Sequence, residues 1–216
     1  ELTKTETVDV MDAVGSNIRI DSRGSEVMRV LPTLNDDVNE EWISDKTRYA
    51  CDGLKRQRLD IPYVKRDGVL QSASWDEAFA AIAAKAKGLA GERIAAIAGD
   101  LADCESMIAL KDLMTALGSP NIDCRQDGAR IGDGARAGYL FNTTIAGIDD
   151  ADAILLIGTN PRWEAPIINA RIRKNFLNGG LAIGVVGPQI DLTYKTEYLG
   201  AGPDTLAEIA AGRHEF

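Results

Sequence analysis

The chain has 216 residues, of which 24 are Lys or Arg and 33 are Asp or Glu, so its formal net charge is -9. This length suits one full domain, or one with a small appendage, and a hydrophobic fraction of 45% argues against intrinsic disorder. A pI near 4.7 argues against general nucleic-acid binding, because such binding depends on Lys and Arg contacts to phosphate.

The first 66 residues are predicted to form a small, loop-rich β module. Apolar residues alternate over Asn17–Leu31 around a glycine-containing turn at residues 21–24, a pattern typical of a β-hairpin. The acidic stretch Asn35–Asp45 follows, and we interpret it as a solvated loop because isolated acids in a loop rarely need partners. The change in sequence pattern beyond this module places a domain boundary near residue 66.

Residues 67–216 alternate between helical patterns and short apolar runs. The predicted helices start at capping or proline signals and end at glycine: Ser74–Gly88, Asp103–Gly118 and Pro166–Gly179. The predicted strands are 94–98, 153–158 and 181–186. Strands separated by helices indicate βαβ units. The predicted fold class is therefore α/β, a mostly parallel sheet with flanking helices, preceded by the small β module.

The cysteine count and the apolar runs bear on the cellular setting. Cys51, Cys104 and Cys124 are widely spaced and odd in number, which favours reduced thiols over a disulfide framework. The longest uncharged stretch, Leu177–Ile190, is too short and too rich in glycine for a transmembrane helix of about 20 residues. No basic region followed by an apolar run opens the chain, so we expect no targeting peptide and interpret the chain as a piece of a longer polypeptide.

The segment Gly158-Thr159-Asn160-Pro161 lies where an open parallel sheet would bind a ligand. It follows a predicted strand and precedes a helix, and the amides at a helix start favour an anion. One hypothesis is therefore a nucleotide- or anion-binding module, and the other is a turn shaped only for helix packing. A nicotinamide site is not favoured, since the glycines of Gly132-Asp133-Gly134 do not continue in the dinucleotide-binding spacing.

Four segments together resemble a known family: Trp42–Arg48, Asp52–Leu59, Asn142–Gly147 and Gly158–Pro166. They are similar to the large iron-sulfur subunit of NADH:quinone oxidoreductase, respiratory complex I, and the resemblance covers essentially the whole chain. In that subunit an N-terminal ferredoxin-like part carries iron-sulfur clusters, and a part similar to molybdopterin oxidoreductases follows. The resemblance implies that this chain is the beginning of the second part.

The resemblance also implies four former cluster-ligand positions. Some members of these families begin this region with C-x2-C-x3-C and a fourth cysteine, which hold a four-iron cluster. The matching positions here are Asp9, Asp12, Ser16 and Ser44. Because hard oxygen donors do not replace thiolates in such clusters, we expect no metal site and no cofactor in this segment, with clusters carried upstream in the complete subunit. A Mg or Ca site is the alternative, but Ca wants roughly 6–8 oxygens, so solvated or capping roles are favoured.

The turn residues Gly158, Asn160 and Pro161 match a motif that helps hold the guanine-nucleotide arm of the pterin in molybdopterin enzymes. Those enzymes commonly carry Asp-Pro-Arg after the next strand, where this chain has Gly187-Pro188-Gln189. Without these charged partners for ribose and phosphate, we expect a vestigial turn in which Asn160 caps the following helix. His214, the one histidine, lies in a terminal loop and is given a structural role, so no catalytic residue is expected.

The resemblance implies a non-catalytic scaffold segment that supports electron transfer from NADH to quinone by clusters outside the segment. Two alternatives stay open: a working molybdopterin-dependent oxidoreductase domain, and an anion-binding module at residues 158–161. The implied partners are other peripheral-arm subunits of complex I, with no nucleic acid and no membrane insertion. The implied location is the cytoplasmic side of the bacterial inner membrane or the matrix side of the mitochondrial one.

Overall fold

The computed structural model describes residues 1–99, 101–125, 132, 134–141 and 143–216. Its strands are β1 (Thr3–Val8), β2 (Asn17–Arg23), β3 (Glu26–Pro32), β4 (Tyr63–Arg66), β5 (Val69–Ser72), β6 (Ala95–Ile97), β7 (Asn121–Asp123), β8 (Ala153–Ile157), β9 (Ala182–Val186) and β10 (Glu197–Gly200). Its α-helices are α1 (Asp45–Tyr49), α2 (Trp75–Ala86), α3 (Cys104–Ala116), α4 (Pro161–Glu164), α5 (Pro166–Asn178) and α6 (Pro203–Ala210). Asp133 and Asn142, which belong to segments singled out above, lie outside the described residues.

The chain forms two compact units. The first combines Glu1–Gly53 with Gly134–Phe216, and the second is Leu54–Asp133. These units follow spatial compactness, so they differ from the predicted domains 1–66 and 67–216, and that division stays a prediction. The predicted fold class, a mostly parallel α/β arrangement after a small β module, is confirmed.

An antiparallel sheet of order β1-β2-β3 opens the first unit. The predicted hairpin is confirmed as β2 and β3, with the pairing of Arg23 and Glu26 placing Gly24 in the turn at a φ of 58°. The register shifts between Asp21 and Ser22, where the fully buried Asp21 carboxylate accepts hydrogen bonds from Arg19 (2.9 Å) and Arg29 (2.6 Å). Both arginines hold the pKa of Asp21 below its usual 3.8, the Arg19 hydrogen bond most strongly.

The acidic stretch Asn35–Asp45 is a loop in which four of the five acids are exposed, as predicted, but a buried neutral residue anchors it. Asn39 is fully buried, and its side-chain amide donates to the carbonyls of Thr33 (3.1 Å) and Trp42 (3.2 Å) while its Oδ1 accepts from the Asn17 amide (2.8 Å). A buried amide that is fully paired specifies one loop path. The prediction missed only this anchor, the buried Asn39.

A parallel sheet of order β10-β9-β8 forms the core of the first unit. Strands β8 and β9 pair in parallel, with Ile154 opposite Ile183, as the βαβ pattern predicted. α5 connects them and ends at Gly179, whose φ of 88° requires glycine. The buried cluster is apolar: Ile148, Leu156, Ile172, Leu181, Ile183, Val185 and Leu192.

The second unit contains the other predicted elements. α2 starts with the predicted capping box, in which the Ser74 hydroxyl accepts from the Glu77 amide and Glu77 accepts from the Ser74 amide. Asp103 caps α3. The predicted strand 94–98 is present as β6, but it pairs in parallel with β7 in a separate two-stranded sheet. The expectation that it shares a sheet with 153–158 and 181–186 is therefore wrong. Its partner β7 was not predicted because the three residues of that strand are all exposed. None of the described helices is long and apolar enough to cross a bilayer.

Candidate functional site

The candidate site is the turn between β8 and α4. Gly158 leaves the strand at a φ of 60°, and its amide donates to the Val186 carbonyl at 2.9 Å, which continues the sheet by one bond. Gly187, at the end of β9, lies against it so closely that a Cβ there would sit 3.3 Å from the Gly158 Cα. The two strand-end turns therefore pack backbone to backbone, as predicted for the carboxyl edge of a parallel sheet.

Asn160 does not cap the helix, contrary to the prediction. Its side chain makes no capping hydrogen bond, and its buried Oδ1 has no hydrogen-bond partner among the described residues. The capping group is Glu164, which reaches back along the chain: Oε1 accepts from the Asn160 amide (3.0 Å) and Oε2 from the Thr159 hydroxyl (2.7 Å). The Asn160 amide, followed by the Thr159 hydroxyl, lowers the pKa of Glu164 below its usual 4.5, so this carboxyl is ionised at neutral pH.

A second charge pair joins this turn to the segment after β9. Arg162 donates through Nη1 to the carboxylate of Asp191 (2.9 Å) and to its carbonyl (3.1 Å). Pro188 and Gln189, which stand where molybdopterin enzymes carry charged partners, are both exposed. The Arg162–Asp191 pair could not be predicted from the sequence, because the two residues are 29 positions apart and match no motif.

An apolar groove of about 780 Å³ lies beside β8 and reaches the turn. Its walls include Ile154 and Ile157 of β8, Phe141, and Ile168 of α5. Glu164 is the one charged residue among the described groove-lining residues. An apolar wall that ends at a carboxylate is poorly suited to a ligand carrying phosphates.

Three of the four positions matched to cluster ligands, Asp9, Ser16 and Ser44, are linked by hydrogen bonds in the first unit. Asp9 and Ser16 meet through a 2.8 Å hydrogen bond from the Asp9 amide to the Ser16 carbonyl. Thr47 connects Asp9 to Ser44, since its hydroxyl donates to the Asp9 carboxylate (2.7 Å) and lies 2.8 Å from the Ser44 hydroxyl. Asp9, Ser16, Ser44 and Thr47 are all buried. Thr47 therefore joins two of these side chains, and the assignment of the positions to former cluster ligands stays a prediction.

The remaining member of this set has a different partner. Asp12 accepts from the Val14 amide at 3.0 Å, and its nearly buried carboxylate lies 3.6 Å from the Lys46 ammonium. Cys51, singled out as the nearby thiol, is half-buried and directs its Sγ to the Arg48 carbonyl at 3.7 Å. Among the described residues no group of three or more His, Cys, Asp or Glu side chains is arranged to hold a metal ion.

A network of charges that the sequence analysis missed ties the acidic stretch to α5. Arg171 is buried, with 4% of its side chain exposed, and donates to the Asp149 carboxylate (2.6 Å) and to the Asp36 carbonyl (2.7 Å). Lys174, one turn later, bonds both Glu40 and Asp149. Glu40, followed by Asp149, raises the pKa of Lys174 above its usual 10.5.

His214, the one candidate general base, lies in the tail after α6. Its Nδ1 accepts from the Phe216 amide at 3.1 Å, and Phe216 packs its ring against Gly184 of β9, where an added Cβ would lie 3.0 Å from the ring. The imidazole thus orders the tail, which agrees with the structural role predicted for it.

Residues 58–216 match the family model described as molybdopterin oxidoreductase. The chain belongs to the molybdopterin oxidoreductase family. The matched range contains the turn at Gly158–Pro161 and the parallel sheet that positions it, in agreement with the resemblance found in the sequence. Family membership gives the fold. It does not show that this chain binds a cofactor, because binding depends on the side chains present at the site.

Residues 2–52 match a second model, described as NADH-ubiquinone oxidoreductase NDSU1/NuoG-like, 4Fe-4S domain. This match overturns the expectation that no cofactor belongs to the segment, because its first part is an iron-sulfur cluster domain by family. The side chains in that domain do not fit a cluster held by four thiolates. Within residues 2–52 the sequence contains one cysteine, Cys51, and the four matching positions carry oxygen donors.

Curated relatives extend the comparison along the whole chain. NADH dehydrogenase [ubiquinone] iron-sulfur protein 1, mitochondrial, from Solanum tuberosum is 54% identical over 100% of the chain. The NADH-ubiquinone oxidoreductase 78 kDa subunits, mitochondrial, of Neurospora crassa and Candida albicans are 52% and 54% identical over 98% of it. The chain spans 29%, 29% and 30% of the lengths of these proteins. The resemblance to the complex I iron-sulfur subunit is confirmed.

Proposed function

We propose that the chain is a structural segment of the large iron-sulfur subunit of NADH:quinone oxidoreductase, where it supports electron transfer from NADH to quinone. The proposal is supported by more than 50% identity to the named subunits along nearly the whole chain. Because the chain is about three-tenths as long as these relatives, the activity belongs to the complete protein. This segment contributes a folded framework to it.

The observation that carries the structural role is the closed state of the strand-end turn. Glu164 accepts from the Asn160 amide and the Thr159 hydroxyl, and Asp191 accepts from the Arg162 guanidinium. We therefore assign Gly158, Asn160 and Pro161 a packing role rather than a part in cofactor binding. Pro161 is buried at the first position of α4, where proline preorganises a helix start.

The former cluster-ligand positions receive a structural role in the same proposal. Asp9, Ser16 and Ser44 are connected through Thr47 and a backbone hydrogen bond, and we assign these contacts the role of ordering the loop. Asp12 contributes through the Val14 amide. Buried polar groups that are fully paired in this way specify one conformation.

The partners we propose are other subunits of the peripheral arm of the same complex. The location we propose is the matrix side of the mitochondrial inner membrane or the cytoplasmic side of the bacterial one. The relatives are mitochondrial NADH-ubiquinone oxidoreductase subunits, which supports the proposed partners and the mitochondrial location.

The test separates assembly from turnover in the complete complex. Arg171→Met, which breaks the network between α5 and the acidic stretch, is introduced into the complete subunit, with Arg173→Met on the same helix as the control. We expect less assembled complex for Arg171→Met and an unchanged rate of quinone reduction per assembled complex. A lower rate per assembled complex would contradict a purely structural role. Molybdenum or tungsten bound to the purified subunit would favour the molybdopterin enzyme instead.

A further inference from the structure

The position of Glu164 bears on how the strand-end turn became a packing element. Glu164 is the last residue of α4. Its carboxylate accepts from the Asn160 amide at 3.0 Å and from the Thr159 hydroxyl at 2.7 Å. Both of its oxygens are therefore engaged by the turn itself. In ligand-binding α/β proteins a phosphate oxygen commonly takes such amide and hydroxyl donors.

The positively charged side chain of the turn, Arg162, is also paired with an acid of this chain. Arg162 donates through Nη1 to both the carboxylate and the carbonyl of Asp191. The Asp191 carboxylate also accepts from the Thr193 amide at 3.0 Å. The Asn160 amide, the Thr159 hydroxyl and the Arg162 guanidinium are thus each paired with an acid of this chain. An incoming anion would have to displace Glu164 and would meet its negative charge.

We propose that Glu164 is a built-in anion that closes the turn at the carboxyl end of β8 against external anions. The inference rests on the proposed structural role and adds its local cause. It is a closing contact within the fold, and the Arg162–Asp191 pair secures the neighbouring side of the turn. Glu164 is exposed, so its contribution to stability is that of a surface cap and its main effect is on access.

The test removes the built-in anion from the full chain. Glu164→Ala deletes the carboxylate, and Glu208→Ala, an exposed glutamate on α6, is the matched control. Thermal unfolding is followed in inorganic phosphate and in sodium chloride of equal ionic strength. Loss of a helix-start cap should lower the melting temperature of Glu164→Ala by about 2–4 °C. Phosphate should restore part of that loss, whereas the wild type and Glu208→Ala should not respond to the change of anion.

A second variant keeps the test informative if Glu164→Ala does not fold. Glu164→Gln has the same shape but no charge, so it should keep a weakened bond to the Asn160 amide and show faster hydrogen exchange there. The proposal is overturned if Asn160 exchanges at the wild-type rate in Glu164→Gln. It is equally overturned if wild type and Glu164→Ala respond alike to phosphate. Neither result touches the assembly experiment, which tests the structural role separately.

Discussion

Replacing Arg171 by methionine should be among the most damaging single changes on α5. Methionine keeps much of the apolar stem but removes the guanidinium that serves the Asp149 carboxylate and the carbonyls of Asp36 and Val38. Each of these acceptors then loses its bond to the guanidinium, and the loop between β3 and α1 loses part of its attachment to the helix.

The magnitude follows from burial and from the groups that remain. Breaking a buried ion pair by removing one partner typically costs about 3–5 kcal/mol. Asp149 is 32% exposed and keeps Lys174 at 3.2 Å, so we discount the loss to about 2–4 kcal/mol. For a chain of this size that corresponds to a fall of about 4–16 °C in melting temperature.

Chemical denaturation of Arg171→Met and Arg173→Met measures the difference directly. Both changes remove one positive charge from α5, but Arg173 is exposed, so its variant should stay within about 0.5 kcal/mol of the wild type. Native-state hydrogen exchange should also show faster exchange of the Asn39 amide in Arg171→Met, because its loop is released. Equal stability of the two variants, with equal protection of Asn39, would refute the proposed attachment.

Three other changes test separate parts of the first unit. Asn175→Ala removes a buried amide that donates to two backbone carbonyls, and we expect a loss of about 2–3 kcal/mol in chemical denaturation. Thr47→Val leaves the buried Asp9 carboxylate without its hydroxyl donor, so unfolding should require about 1–3 kcal/mol less, and an unchanged midpoint would contradict the network. Asp21, whose folded pKa is lowered, stabilises the fold above its unfolded pKa of 3.8 and loses this effect as pH falls through the lower folded value. The stability gap between wild type and Asp21→Asn should therefore narrow below about pH 4 in acid titrations.

The elements that sequence predicted well are those with strong local signals. The capping box at Ser74, the glycine that ends α5 and the apolar runs of β8 and β9 are all present. Each depends on residues within a few positions of one another, for which backbone chemistry and periodicity are decisive. β1 and β7 were missed because their residues are exposed and show no apolar pattern.

The groups that determine the candidate site were harder to predict because they depend on distant partners. In the sequence, Arg171 looks like the other charged residues of its helix. In the fold it is buried and donates hydrogen bonds to carbonyls 133 and 135 positions away. The Asn160 prediction failed for a local reason. Asparagine is a frequent helix cap, but Asn160 has a ψ of 88°, far from the values of 162° and 160° at the capping residues Ser74 and Asp103.

Polar groups are paired within the chain at two places in the first unit where the matched families suggest a cofactor. At Asp9, Ser16 and Ser44 the donors and acceptors are joined by Thr47 and the backbone, and at the strand-end turn Glu164 binds the free donors. Unpaired buried polar groups cost about 1–3 kcal/mol each, so pairing within the chain stabilises both places. In both places those partners are neutral hydroxyls or acids of the chain itself. The buried Asn160 Oδ1 is the exception, since it has no hydrogen-bond partner among the described residues, so the pairing at the turn is incomplete.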